Sequence, residues 1–215
     1  MCSSDLVKLL ADYAINRHDP ALQSAPDRYL LFFEAVCNRQ AALLAKWMNL
    51  GFIHGVMNTD NMALSGESID FGPCAFMEAY DPATVFSSID HGGRYAYGNQ
   101  PMIARWNLAR LAETLLPLLH PDMEQAVKAA TSVLEQFLPR YEQARLQGQR
   151  LRMGTEALDR NLVEDWLGLL YQQKVDYTSA FRALAPAAAG NPAPLQALFS
   201  DPAPLTAWLS QWLSL

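Results

Sequence analysis

At 215 residues and 51% hydrophobic, the chain is long enough to bury a sizeable core and to form one domain or two small ones. Sixteen basic against 22 acidic residues give a net charge of −6, which argues against a nucleic-acid or anionic-membrane partner. Three scattered cysteines (Cys2, Cys37, Cys74), no apolar run near the roughly 20 residues of a spanning helix, and no signal-like opening argue against a disulfide framework, a CxxC zinc site and a membrane span. The expected compartment is a bacterial cytoplasm.

Residues 6–17 carry apolar positions at helical spacing, with Leu9, Leu10, Tyr13 and Ala14 on one face, and the Asp19-Pro20 step ends the pattern. The opening Cys2-Ser-Ser-Asp-Leu6 can be encoded by a stretch resembling a common sequencing adapter, which marks residues 1–6 as a candidate assembly artefact. A longer helical pattern covers 27–50, with Tyr29, Phe32, Phe33, Val36, Leu43, Leu44 and Trp47 recurring at threes and fours and Gly51 as the stop. Residues 62–64 and 68–70 flank Ser65-Gly66-Glu67 and read as strand, tight turn and strand. From 72 to 101, Gly, Pro, Asp and Ser dominate and the segment reads as loop. The remaining patterns are helical: 100–119, with Pro101 in the first turn and Trp106, Leu108, Leu111 and Leu115 as a core stripe; 123–147, with Pro139 as a kink or break; and 161–184. Residues 185–194 read as a linker and 205–213 as a short amphipathic helix, so the fold class expected is mainly α.

The chemistry concentrates between His54 and Gly72. Asn61 stands seven residues after His54, the spacing of the metal-binding Asn in the His-Arg-Asp loop of protein kinases. Nine residues further comes Asp70-Phe71-Gly72, whose Asp in kinases holds the cation that bridges nucleotide phosphates. The kinase base is missing, because Val56 stands where its Asp would be, and the carboxylate on offer is Asp60. An Asp beside an Asn is ordinarily a turn residue or helix cap; within this spacing it reads as a general base for an attacking hydroxyl. The Asn61 carbonyl and the Asp70 carboxylate are hard oxygen donors, and magnesium takes few carboxylates alongside phosphate oxygens and water. His54 reads as a structural brace. His91-Gly92-Gly93-Arg94 lacks a Walker or GxGxxG pattern, and its Arg94 either meets a phosphate or ties the loop down. Cys74 reads as a small packing residue rather than a nucleophile.

The Asp60-Asn61 pair resembles the selenoprotein O family of kinase-like proteins, long called pseudokinases. The resemblance runs through Gly51-Phe-Ile-His-Gly-Val-Met-Asn-Thr-Asp-Asn-Met62, Ile69-Asp-Phe-Gly-Pro73, Asp90-His-Gly-Gly-Arg-Tyr95, Asn99-Gln-Pro101 and Trp106-Asn-Leu108, with a weaker echo at Asp176-Tyr-Thr and Phe181-Arg182. It implies AMPylation: transfer of AMP from ATP to Ser, Thr or Tyr hydroxyls of proteins, with Mg2+ or Mn2+, Asp60 as base, Asn61 and Asp70 as metal ligands, and Asp70 also serving the nucleotide. It further implies a protein-kinase-like C-terminal lobe whose short β-hairpin carries the metal-binding loop. The fifty or so residues before His54 read as helix, so the nucleotide-covering N-terminal lobe is expected to be absent. The division expected is 1–184 for the lobe and 185–215 for a linker and short terminal helix. Two other readings remain open: a small-molecule phosphotransferase of the aminoglycoside-kinase type, which predicts Asp directly after His54-Gly55, and a non-catalytic pseudokinase module, against which Asn61 and Asp70 count.

Overall fold

Helix dominates the computed structural model, which describes residues 3–215, so Cys2 and the start of the candidate artefact lie outside the described residues. The chain divides into two units, 1–44 with 56–72 and 100–141, and 45–55 with 73–99 and 142–215.

In the first unit, α1 (Ser3–His18) packs against α3 (Gln100–Leu119), and α3 forms an antiparallel pair with α4 (Met123–Glu135). The turn between them is fixed by Asp122, whose carboxylate accepts from Glu124 N at 2.8 Å and Gln125 N at 3.2 Å, satisfying donors that the first helical turn leaves open. Helix α2 (Arg28–Leu50) contributes Phe32, Phe33, Val36, Cys37, Ala41 and Leu44 to this core, the face that its threes-and-fours spacing predicts. Helix α1 departs from expectation. Its buried face is Ala11, Ala14 and Ile15, while Leu6, Leu9, Leu10 and Tyr13 are each more than half exposed. Helical spacing gives α1 two apolar stripes, and the one with small residues permits the closer approach to its neighbour.

The second unit is built on aromatic packing. Helices α5 (Phe137–Met153), α6 (Arg160–Gln173), α7 (Tyr177–Ala188), α8 (Ala193–Gln196) and α9 (Pro202–Leu213) supply it, α5 from residue 142 onward. Trp166 of α6 stacks on Trp208 of α9 at 4.5 Å and meets Phe181 of α7 edge-on at 5.8 Å. Two of the indoles are tied down, Trp208 Nε1 donating to Leu162 O at 2.9 Å and Trp212 Nε1 donating to Met153 O at 3.2 Å, whereas Trp166 Nε1 is buried with no hydrogen-bond partner.

Helix boundaries differ from the sequence reading at three places. The pattern expected over 123–147 breaks at Gln136, and Pro139 lies in the first turn of α5, where its missing N–H costs nothing. The pattern over 161–184 is two helices: Lys174 ends α6 in the left-handed conformation (φ 52°) and Asp176 caps α7 by accepting from Ser179 N at 2.7 Å. The stretch read as a linker begins inside α7, which continues through Pro186 to Ala188, and it ends inside the single turn α8.

Gly51 closes α2 with φ +73°, and a Cβ built there would lie 2.9 Å from the Tyr177 ring. Gly51→Ala is therefore expected to cost about 2–4 kcal/mol, from left-handed strain of roughly 1–2 kcal/mol and overpacking against a buried ring. Gly154 has a similar φ, +74°, with nothing within 4 Å, so Gly154→Ala isolates the strain alone. Urea midpoints of the two variants check this; equal losses would remove the ring contact from the account.

Candidate active site

Asp60, Asn61 and Asp70 all fall in the segment 56–72 of the first unit. Thr59–Asn61 forms one 3-10 turn, opened by Asn58 N donating to Val56 O at 2.9 Å and closed by Asn61 N donating to Asn58 O at 3.0 Å. The Asn61 side chain turns back on the same loop, its Nδ2 donating to Val56 O at 2.9 Å. A carbonyl only accepts, so this bond fixes which end of the amide is nitrogen and leaves Oδ1 as the end available to a cation. Asp60 is exposed and Asn61 half-buried.

Met62 pairs with Ser68 in one antiparallel bridge across a turn closed by Gly66 N donating to Ala63 O at 3.0 Å. Asn61 lies one residue before the bridge and Asp70 two residues after it, so both leave from its open end. The hairpin expected from strands at 62–64 and 68–70 is reduced to this bridge. Its outer carbonyls are claimed by side chains of α2 instead of a ladder: Ala63 O accepts from Gln40 Nε2 at 2.7 Å and Leu64 O from Arg39 Nε at 2.9 Å. Arg39 is itself held by Asp19 through two bonds, at 2.7 and 3.0 Å. The two-stranded sheet forms elsewhere, in the second unit, where β1 (Phe52–Ile53) pairs antiparallel with β2 (Ala75–Phe76).

Asp70 is exposed and sits at φ +53°; among the described non-glycine residues only Lys174 shares a positive φ. Such a conformation costs about 1–3 kcal/mol in a non-glycine residue and collects at functional sites.

Among the described residues no group of three or more His, Cys, Asp or Glu assembles into a metal cage. The donor set present is one amide carbonyl and exposed carboxylates. These are hard oxygens, and they fit a cation that takes one or two protein ligands and completes its shell with phosphate and water.

His54 is fully buried, its ring stacked on Trp47 at 5.3 Å and edge-on to Phe52 at 6.4 Å, the position of a core brace. The Asp90-His-Gly-Gly-Arg-Tyr95 stretch closes on itself, with Asp90 accepting from Arg94 N at 2.9 Å and Tyr95 N at 2.8 Å, and Asn99 Nδ2 donating to Gly93 O at 2.8 Å. Cys37 is buried, and that burial pushes its thiol up to about 12, out of the range of a nucleophile. The core stripe on α3 needs one correction. Trp106 is 45% exposed beneath the Arg110 guanidinium, 5.1 Å from its ring, and the inward position beside Leu108 belongs to Asn107. Arg39, Gln40 and Asn107 all hold backbone groups of this segment; Arg39 and Gln40 carry no sequence signal, and Asn107 stands in the family-like Trp106-Asn-Leu108 stretch without a role having been read for it.

The family model described as Protein adenylyltransferase SelO matches residues 1–210. Among curated proteins, the "Protein nucleotidyltransferase YdiU" of Cereibacter sphaeroides is 58% identical over 97% of this chain and 44% of its own length. Proteins of the same name from Chromobacterium violaceum and a Mycobacterium species are 57% and 53% identical, over 96% and 99% of this chain and 44% and 45% of theirs. The chain thus spans less than half the length of these curated relatives.

Proposed function

The chain belongs to the SelO protein adenylyltransferase family, and from that premise we propose that it carries the base and the cation ligands for transfer of AMP from ATP to Ser, Thr or Tyr hydroxyls of proteins. The observation that carries the reading is the Asn61 side chain, whose nitrogen is committed to Val56 O while the carbonyl oxygen is left for a cation, at the same open end of the bridge as Asp70. In this reading the helical segment is the C-terminal lobe of a kinase-like enzyme, and the lobe that covers the nucleotide lies outside the 215 residues.

Asn61 Oδ1 and the Asp70 carboxylate would hold Mg2+ or Mn2+, and that cation when bound offsets the phosphate charge. Asp60 takes the proton of the attacking hydroxyl as its oxygen bonds to the α-phosphorus and the bond to the pyrophosphate oxygen breaks. Its exposure suits a base that must meet a side chain on another protein. Val56, where a kinase carries its base, is the reason to expect adenylyl rather than phosphoryl transfer.

The test uses a chimera in which these 215 residues replace the matched part of the Cereibacter sphaeroides relative, supplied with ATP labelled at the α or the γ phosphate and with either metal. Label is expected on protein from the α position only. Transfer from the γ position alone would restore a kinase, and no transfer of either label by a cooperatively folding chimera would remove the enzymatic reading.

A further inference from the structure

The turn that carries Asp60 and Asn61 is tied to helix α3 by a residue with no place in the reaction described above. Asn107 is 5% exposed. Its Nδ2 donates to Met57 O at 2.9 Å and lies 2.7 Å from Met62 Sδ, so a single amide nitrogen holds the residues on both sides of the 58–61 turn. Its Oδ1 is buried with no hydrogen-bond partner. An unpaired buried acceptor works against stability, and an apolar residue of similar size would avoid it. The amide is therefore poorly explained as a stabiliser of the fold, whereas its donor is placed to restrain the loop.

Packing makes that restraint matter. A cavity of about 260 Å³ lies against the loop, lined by Thr59 and Met62 on one side and by Val36, Leu108 and Leu111 of α2 and α3 on the other. Met57 is packed in the core, but over Thr59 and Met62 there is open volume where side chains would otherwise press, so there the loop rests on polar ties: Asn107 at its two ends, with Gln40 and Arg39 just beyond. We propose that Asn107 is a positioning residue, holding the 57–62 turn so that Asp60 and Asn61 keep the geometry of attack. The catalytic half of this inference rests on the function proposed above; the restraint of the loop does not.

Two variants and two measurements separate these parts. Asn107→Leu removes the donor and the orphaned acceptor together, and Asn107→Asp keeps the shape while removing the donor, so one informs if the other folds poorly. Hydrogen exchange on the 215-residue chain is expected to show amides 57–63 opening at least about tenfold faster, with α3 and α4 protected as before. In the chimera, kcat is expected to fall about 10–100-fold while KM for ATP stays within about twofold, the signature of a misplaced rather than an unbound group. Unchanged exchange at 57–63 overturns the proposal whatever the activity. So does a general rise in exchange across α2 and α3 with full activity per folded molecule, which is what a purely structural residue would give. Faster exchange confined to 57–63 beside an inactive wild-type chimera would support the restraint and count against the proposed function instead.

Discussion

Asp70→Ala in the chimera is expected to abolish AMP transfer, whereas Asp60→Ala leaves a measurable remainder, reduced by about 10²–10⁴-fold. The two carboxylates differ in what their loss removes. In the proposed roles, a hydroxyl without Asp60 would have to shed its proton to water while the nucleotide and its cation stayed positioned. Without Asp70 the cation would lose its carboxylate ligand, and with it the charge that would offset the phosphates during attack. Alanine adds a complication, because residue 70 is left-handed at φ +53° and alanine resists that conformation. Asp70→Asn controls for it, since asparagine tolerates φ > 0 and keeps the shape while giving up the charge. Near-complete loss in both variants assigns the effect to the cation; recovery in Asp70→Asn assigns it to the backbone. Initial rates of α-label incorporation across a manganese titration give the order. If Asp60→Ala were the less active and Asp70→Ala kept metal-dependent turnover, the two roles would have to be exchanged.

The part of the candidate site whose placement was legible in sequence is the part whose residues lie close along the chain. Asp60, Asn61 and Asp70 fall within eleven consecutive positions, and a turn signal at Ser65-Gly66-Glu67 suffices to bring their flanks together. The supports of the loop were not legible. Arg39, Gln40 and Asn107 bind the carbonyls of Leu64, Ala63 and Met57, and a backbone carbonyl has no identity that a sequence pattern can match. The same limit explains the fold. Apolar spacing marked the helices, because burial repeats with the helical period; Pro139 announced a break that falls three residues earlier, at Gln136, but the pattern ran on across Lys174, where neither Gly nor Pro marks the end. It also chose the wrong face of α1, because period locates a stripe without saying which of two stripes a neighbour will cover.

Tyr177→Ala is expected to cost about 3–5 kcal/mol, about a fifth or more of the stability of an ordinary domain. Tyr177 opens α7 in the weakly family-like Asp176-Tyr-Thr stretch, and its work is at the end of α2. Its hydroxyl lies 3.1 Å from the carbonyls of both Met48 and Asn49, groups that the last helical turn leaves without partners, and it accepts from Arg152 Nη1 at 3.1 Å. Its ring stacks on Tyr80 at 5.7 Å, lies beneath the Arg152 guanidinium at 5.1 Å, and occupies the space that any side chain at Gly51 would need. Alanine therefore removes a fully buried ring and one partner of the helix end, while the half-buried Arg152 guanidinium keeps its bond to Asn49 O and its place over the Phe181 ring. Tyr177→Phe keeps the ring and loses only the hydroxyl, which is expected to cost about 1–2 kcal/mol. Urea unfolding of both variants, fitted with a common m value, separates packing from hydrogen bonding. The helix end has a second anchor in Tyr97, whose hydroxyl donates to Met48 O at 2.5 Å. If Tyr177→Ala cost under about 1 kcal/mol, that bond and the one from Arg152 Nη1 to Asn49 O would be the ones holding α2 where the chain turns through Gly51 toward His54.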